Sequence, residues 1–328
     1  KIIFSTVYLF INSITMLNGG DMGFFRKSKI YSFLAIVLLS TSIAMAGGVK
    51  DAVNQAKNQA IQNVFSYGDS AIESWAKDNL SSLRLIEIET RTRENSKPTF
   101  RAISLFEIAG NDFNKILSQL SYSTFDDDET FNAGLVYRMM NSDMTVIYGL
   151  NIFYDHQFNT GHARTGLGFE MKSTVYDVNI NLYDAQTEIH HVNGVPEVAA
   201  GGYDAEIGAQ VPYLPWAKVY YKAYQWNNET LNIKDGENIS LYMEPTPRLS
   251  VEVGMQDDSS MSSNAFLKLN YILCCNERRM GPTIFTVSNS AFNYGKIDSQ
   301  RMYEKVRREN NIITVRGGGE FVVTASGF

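Results

Sequence analysis

Hydrophobic and polar residues alternate along most of this chain. From position 203 onward, Tyr203, Ala205 and Ile207 alternate with Asp204 and Glu206. Successive side chains of an extended strand point to opposite faces, so one face here is apolar and the other carries charge. The same period of two residues continues over most of residues 82–273. This pattern predicts a large all-β domain.

The alternating region divides into twelve segments, most of them about ten residues or longer. They are residues 82–94, 99–110, 112–126, 129–141, 144–158, 162–174, 176–190, 201–213, 216–228, 237–247, 249–257 and 264–273. A tilted strand of about ten residues crosses a bilayer. An even number of strands also closes a barrel without the unpaired edge that a membrane interior excludes. We therefore predict a twelve-stranded antiparallel transmembrane β-barrel over residues 82–273, with a soluble β-sandwich as the alternative.

The chemistry of the polar face favours the barrel over the sandwich. This face combines glycine, amides and charges of both signs, as the lumen of a membrane barrel does. Strands of a sandwich rarely exceed about ten residues, and many segments here are longer. The residues predicted to face the lumen are Asn151, Asp155, Glu170, Lys172, Asp204, Glu206, Gln210, Lys218, Lys222 and Lys268.

The composition agrees with a β-barrel and excludes one class of partner. Mean hydropathy is only −0.18 although aromatic residues reach 12%, as expected when every second residue of a strand meets lipid. The net charge is −6 and the isoelectric point is near 5.4. Because proteins that bind nucleic acid carry a basic surface, we expect no nucleic-acid partner.

The sequence offers no catalytic or metal-binding constellation. The four histidines, His156, His162, His190 and His191, have no serine at neighbouring positions of the alternating pattern, so no nucleophile and base are paired. The acidic run at 126–129 lacks the glycine and terminal glutamate of a calcium-binding loop. We therefore expect a protein that is not an enzyme and that uses no metal or cofactor.

The N-terminal residues predict export. Basic residues precede a short apolar core at 31–39, and the small residues at 44–46 form a cleavage site after Ala46. An uncut membrane anchor is the alternative. We interpret residues 1–46 as upstream residues followed by a signal peptide, with initiation at Met22. Residues 47–81 place apolar side chains at helical spacing, so we predict a helical segment there.

The connections between the segments predict an orientation. Those after even-numbered segments are tight, for example at 110–111 and 141–143, whereas several after odd-numbered segments are longer, for example 191–200, 228–236 and 257–264. Outer-membrane barrels have short periplasmic turns and long extracellular loops. The helical segment at 47–81 is therefore expected in the periplasm.

Three stretches resemble the inverse autotransporter family, the outer-membrane barrels of intimin and invasin. They are IYGLNIFYDHQFNTGHARTGLGFEMKS at 147–173, GGYDAEIGAQVPYLPWAKVYYKAYQW at 201–226 and YEKVRRENNI at 303–312. The resemblance covers roughly residues 60–315. It implies that a linker, residues 274–316, returns through the lumen and carries a passenger to the cell surface. The linker residues expected in the lumen are Arg301, Tyr303, Arg307, Arg308 and Asn310.

The resemblance implies a translocator and anchor in the bacterial outer membrane, with a periplasmic N-terminus and its C-terminus at the cell surface. It displays a C-terminal adhesin segment, and residues 317–328 are expected to be the start of a truncated or absent passenger. Expected partners are the lipid bilayer with its lipopolysaccharide, the barrel assembly machinery, periplasmic chaperones and a surface receptor reached through the passenger. A small diffusion channel without a passenger is the alternative. A short basic stretch at 301–308 is predicted to be helical.

Overall fold

A computed structural model describes residues 74, 78, 80–94, 96–125, 128–192, 194–228, 231–259, 261–275 and 286–316. The cleavage predicted after Ala46, most of the helical segment predicted at 47–81 and the passenger start predicted at 317–328 lie outside these residues. Among the described residues, no helix has the length and apolar character needed to cross a membrane.

Twelve strands close into an antiparallel barrel, which confirms the predicted fold class. Each strand pairs with its neighbour, the first closes the barrel by pairing with the twelfth, and the seventh pairs directly with the eighth. The barrel strands are β1 (Leu83–Arg93), β2 (Thr99–Gly110), β3 (Asn114–Phe125), β4 (Asp128–Met140), β5 (Val146–Gln157), β6 (Ala163–Ser173), β7 (Tyr176–Ala185), β10 (Gly201–Val211), β11 (Leu214–Asn228), β12 (Leu231–Met243), β13 (Leu249–Asp258) and β14 (Met261–Cys274).

Three short strands form a second sheet. They are β8 (His190–Val192), β9 (Val195–Ala199) and β15 (Thr314–Arg316), in the spatial order β15, β9, β8. The hairpin β8–β9 lies within the connection from β7 to β10. We call the end of the barrel that carries this hairpin the hairpin end, and the other end, where β1 begins and β14 finishes, the turn end.

Side chains on the outside of the barrel are apolar, as the alternation predicts. Leu150 and Ile152 on β5 are 56% and 55% exposed, whereas Asn151 between them is 4% exposed. The first strands alternate less cleanly in sequence because their inward positions include leucines. Leu85, Leu105 and other inward residues form an apolar cluster inside the barrel.

Three predicted loops are wrong. The connection predicted at 191–200 contains β9 and most of β8. The connection predicted at 228–236 is mostly strand, because β12 begins at Leu231 and Trp226 pairs with Lys234 across the hairpin. The connection predicted at 257–264 is also largely paired, since β13 ends at Asp258 and β14 begins at Met261. The residues at these strand ends are largely polar, so the sequence pattern predicted loops where the structure has paired strands. The length contrast between the two ends of the barrel is therefore smaller than predicted.

Candidate functional site

The chain after β14 returns through the inside of the barrel. At the turn end, the backbone N–H of Ile297 donates to the carbonyl of Met144 at 2.7 Å. At the hairpin end, the backbone N–H of Ala200 donates to the carbonyl of Ile313 at 2.8 Å. Residues 297–313, which we call the lumen linker, connect these two points, and β15 then pairs with β9 at the hairpin end.

All ten residues predicted to face the lumen have buried side chains. Their exposure does not exceed the 5% of Glu206, while outward neighbours such as Leu150 are more than half exposed. A period-two strand separates these two sets because every second side chain points inward. The wall of the lumen is therefore lined mainly by polar side chains, apart from the apolar cluster that contains Leu85 and Leu105.

Charged side chains of the wall are paired with one another. The pairs are Glu89–Arg101 at 2.7 Å, Asp155–Arg164 at 2.8 Å, Glu170–Arg138 at 2.5 Å, Asp177–Lys218 at 2.7 Å, Glu252–Lys268 at 3.0 Å and Asp204–Lys222 at 3.6 Å. A buried charge without a partner is costly, so this pairing is what allows so many ions inside one barrel.

The lumen linker adds a second set of ion pairs along its length. Arg301 contacts Asp177 at 3.1 Å, Arg307 contacts Glu206 at 2.6 Å and Glu252 at 3.1 Å, and Arg308 contacts Asp155 at 2.7 Å. Lys305 lies 2.6 Å from Glu87 and also contacts Glu89, and Lys172 of the wall lies 3.2 Å from Glu304. The linker charges thus meet opposite charges at successive depths of the lumen.

Tyr303 and Asn310 contact the wall through hydrogen bonds. The Tyr303 hydroxyl donates to Glu107 at 2.9 Å near the turn end. The backbone carbonyl of Asn310 accepts from the side-chain amide of Asn132 at 2.7 Å. The structure therefore brings all five predicted linker residues into the lumen.

The helix predicted at 301–308 is wrong, apart from a short 3-10 helix at Ser299–Tyr303. From Met302 onward, wall side chains make hydrogen bonds with the linker backbone in place of the bonds of a helix. Three wall side chains donate to linker carbonyls: Arg138 to Met302 and Glu304, Asn181 to Arg307, and Arg164 to Glu309. Two wall side chains accept from linker N–H groups: Gln119 from Val306 and Tyr183 from Glu309. All these distances lie between 2.6 and 3.0 Å.

Apolar and aromatic contacts fill the remaining space. Val306 packs into the apolar cluster of inward leucines. The guanidinium of Arg307 lies 4.0 Å from the ring centroid of Tyr220, and that of Arg308 lies 4.3 Å from that of Phe153. The cavity beside the linker measures about 70 Å³, which is room for a few water molecules.

At the hairpin end, β15 adds to the edge of the hairpin β8–β9. Val315 is the register partner of Val198, and Thr314 that of Ala199. Glu197 of the same strand is buried against the barrel, 3.5 Å from His162. The hairpin thus holds the chain where it leaves the lumen.

Sequence reasoning missed several wall residues that contact the linker. Asp177 bonds Arg301, Arg138 bonds two linker carbonyls, and Glu252 bonds Arg307. Each lies on the inward parity of a strand whose other inward positions were recognisable, so the alternation itself could have found them. Their partners in the linker could not be found in this way. Alternation shows which side chains point into the lumen, but it does not show which linker group each one contacts.

Comparison with known proteins gives a family and a fold. Residues 37–310 match the family model described as inverse autotransporter, beta-domain. A solved structure from work on the mechanism behind the in-meso crystallization of membrane proteins is similar, with a TM-score of 0.58 and 15% identity over 71% of this chain and 100% of that chain. The KdgM porin is similar with a TM-score of 0.38 and 9% identity, over 57% of this chain and 97% of that chain. At these identities the likeness concerns the fold, and the porin score is too low to carry an argument.

Proposed function

This chain belongs to the inverse autotransporter β-domain family, a family of outer-membrane translocators, and we propose that its barrel exports and anchors the segment that follows the lumen linker. The observation that carries the proposal is the path of the chain. β14 finishes at the turn end, and the linker leaves the lumen at the hairpin end beside β9. Arg316, the last residue that the structure describes, therefore lies at the hairpin end.

The mechanism is conformational and needs no catalytic group. The wall binds the linker through its backbone as well as its charges, so residues 304–313 are held without regular secondary structure of their own. Three wall carboxylates that bind the linker also pair with cations of the wall, so they keep a partner while the linker is absent. They are Asp155 with Arg164, Asp177 with Lys218 and Glu252 with Lys268. This arrangement supports a barrel that stays folded before the linker occupies it.

The proposed organisation follows the chain from the inside of the cell outward. Residues 47–81 lie in the periplasm after cleavage at Ala46, the barrel spans 82–273, the linker spans 274–316, and the displayed segment starts at 317. The turn end then faces the periplasm and the hairpin end faces the medium. The displayed segment serves adhesion to a host-cell or bacterial receptor.

The proposed partners act on different parts of the molecule. Lipid and lipopolysaccharide contact the apolar outer face, and the barrel assembly machinery and periplasmic chaperones act during insertion. The receptor would bind only the displayed segment. The apolar ring of exposed side chains, among them Leu150, Leu167 and Ile207 at 56% exposure each, supports the lipid contact.

Single cysteines test orientation and export together, in a background where Cys274 and Cys275 are replaced by serine. Val195→Cys lies at the hairpin end, Ser142→Cys lies at the turn end, and Ser326→Cys reports on the tail. On intact cells, a maleimide that does not cross membranes should label Val195→Cys and Ser326→Cys. It should label Ser142→Cys only after the outer membrane is permeabilised.

Each departure from that pattern contradicts a different part of the proposal. Labelling of Ser142→Cys in place of Val195→Cys on intact cells would reverse the orientation. Protection of Ser326→Cys while Val195→Cys is labelled would refute export. If that protection is accompanied by steady ion conductance of the parent protein in planar bilayers, the chain is a small diffusion channel.

A further inference from the structure

Two turns at the turn end hold the chain that returns from β14. In the turn between β10 and β11, the N–H of Tyr213 donates to the carbonyl of Ala291 at 2.8 Å, and its carbonyl accepts from the N–H of Ser288, also at 2.8 Å. In the turn between β4 and β5, the carbonyl of Met144 accepts from the N–H of Ile297 at 2.7 Å. The returning chain is thus bound at two points before it enters the lumen.

Both turns have an unusual backbone at the residue that makes these bonds. Met144 has a φ of 58° and Tyr213 a φ of 67°, in the left-handed region that glycine and asparagine occupy most readily. In the described part of the chain, one further non-glycine residue, Cys275, has a positive φ. Two of these three residues therefore contact the returning chain through their backbones.

The side chain of Met144 gives a reason for a residue that the turn itself does not favour. Met144 packs on a buried apolar cluster that contains Met140 and Ile147 of the barrel, together with Ile297 and Met302 of the linker. Glycine would suit the backbone better but would leave this contact unfilled. This packing against a cluster shared by barrel and linker is thus the feature that distinguishes methionine from glycine at this position.

We propose that these two turns are a docking site for the chain that follows β14, and that Met144 is a positioning residue that determines where the lumen linker begins. This inference rests on the proposed function, since it specifies how the exported chain is held. The site is specific for an extended segment that presents an apolar side chain at the position of Ile297. The hydrogen bonds at Tyr213 hold the preceding segment along the rim.

Docking at Met144 also determines the register inside the lumen. Arg301 follows Ile297 by four residues and reaches Asp177 at 3.1 Å. Met302, inside the short 3-10 helix, lies in the same apolar cluster as Ile297, so this cluster also holds the helix against the barrel. Release of this cluster would let the linker slide relative to its ion pairs and open the lumen.

The test is Met144→Gly in the full chain. Ion conductance is measured in planar lipid bilayers. Thermal stability is measured by gel electrophoresis of heated samples, as the temperature at which the band of the folded barrel is replaced by that of the unfolded chain. Glycine relieves the backbone strain but removes the packing. We expect the open fraction to rise about tenfold, the change that follows from losing the packing of a partly buried methionine. The unfolding temperature should stay unchanged or rise. If Met144 had a purely structural role, opening of the lumen would be accompanied by a lower unfolding temperature.

Three matched variants complete the test. Ile297→Ser removes the same contact from the linker side without touching a barrel turn and should open the lumen similarly, even if Met144→Gly folds poorly. Met144→Leu should behave like the parent. Asp112→Gly, in the turn at 111–113 on the same end of the barrel, should also leave conductance unchanged.

Conductance of Met144→Gly and Ile297→Ser at the level of the parent would overturn the docking site. Failure of the proposed function has a separate signature, because it appears as protection of Ser326→Cys in the parent, whatever the conductance of the variants. A rise in conductance of the variants together with protection of Ser326→Cys would support the docking site. The lumen linker would then close the barrel without exporting the tail.

Discussion

The carboxylate of Asp155 joins the barrel wall to the lumen linker. It is fully buried and accepts five hydrogen bonds. Arg164 of the wall donates at 3.0 and 2.8 Å, Arg308 of the linker donates at 2.9 and 2.7 Å, and Asn132 donates at 2.8 Å. Two buried guanidinium groups thus share one carboxylate.

We predict unequal effects for removing the two partners. Asp155→Asn leaves the guanidiniums of Arg164 and Arg308 without their shared counter-charge, and breaking a buried pair in this way costs about 3–5 kcal/mol. Arg308→Met removes two hydrogen bonds to Asp155 and the contact with the Phe153 ring, but Asp155 stays paired with Arg164. No buried charge is then left without a counter-charge, so the cost should be smaller than that of Asp155→Asn. The wall side of the pair should therefore be the more sensitive one.

The free energy of unfolding is measured by urea titration of the protein refolded into lipid vesicles, followed by tryptophan fluorescence. Trp226 is a suitable reporter because it is buried and its ring centroid lies 5.8 Å from the Arg164 guanidinium carbon. Asp184→Asn, on the exposed face of β7, is the matched control and should stay within about 0.5 kcal/mol of the parent.

The ordering of the two variants is the part of this prediction that can fail. If Asp155→Asn costs less than about 1 kcal/mol, the carboxylate is not the shared counter-charge. If Arg308→Met costs as much as Asp155→Asn, the wall pair with Arg164 does not survive loss of the linker arginine. In that case the linker would be required for the folded barrel itself.

Two further predictions concern the two faces of the wall. Leu150→Arg places a charge on the lipid face and should cost roughly 2–4 kcal/mol in the same urea titration, whereas Asn151→Ser on the neighbouring inward position should cost less, and equal costs would contradict the assignment of faces. Gly208→Ala should lower the free energy of unfolding by about 1–3 kcal/mol, because a Cβ there would lie 2.2 Å from the ring of Tyr220. Displacement of this ring should also weaken its contact with the Arg307 guanidinium. Gly295→Ala, which meets no atom within 4 Å, is its control, and an equal effect of both variants would refute the steric argument.

The barrel could be predicted from the sequence because its cause is local. Lipid contacts every second residue of a strand, so the outward positions must be apolar wherever the chain crosses the membrane. Leu150 and Asn151 show this directly, and the twelve strands were recognised on the same basis. The family resemblance came from three short stretches on the central strands and the linker.

Strand ends were less predictable, because polar residues there indicate a loop even where backbone pairing extends the strand. The residues from Leu231 onward are polar and read as a loop, yet they pair across a tight hairpin with β11. The hairpin β8–β9 was missed for a different reason. Its partner β15 lies more than a hundred residues further along the chain, and no local pattern links Val198 to Val315.

The sequence by itself determined that this chain forms a barrel and which side chains point inward, because both follow from alternation along a single strand. Only the tertiary structure decided which inward groups meet, such as Arg301 with Asp177 and Arg307 with Glu206. It also decided the extended form of residues 304–313, where a helix had been predicted in part. Inside the lumen, wall side chains such as Gln119 and Asn181 supply the hydrogen bonds that a helix would have made for itself, and their positions depend on the closure of all twelve strands.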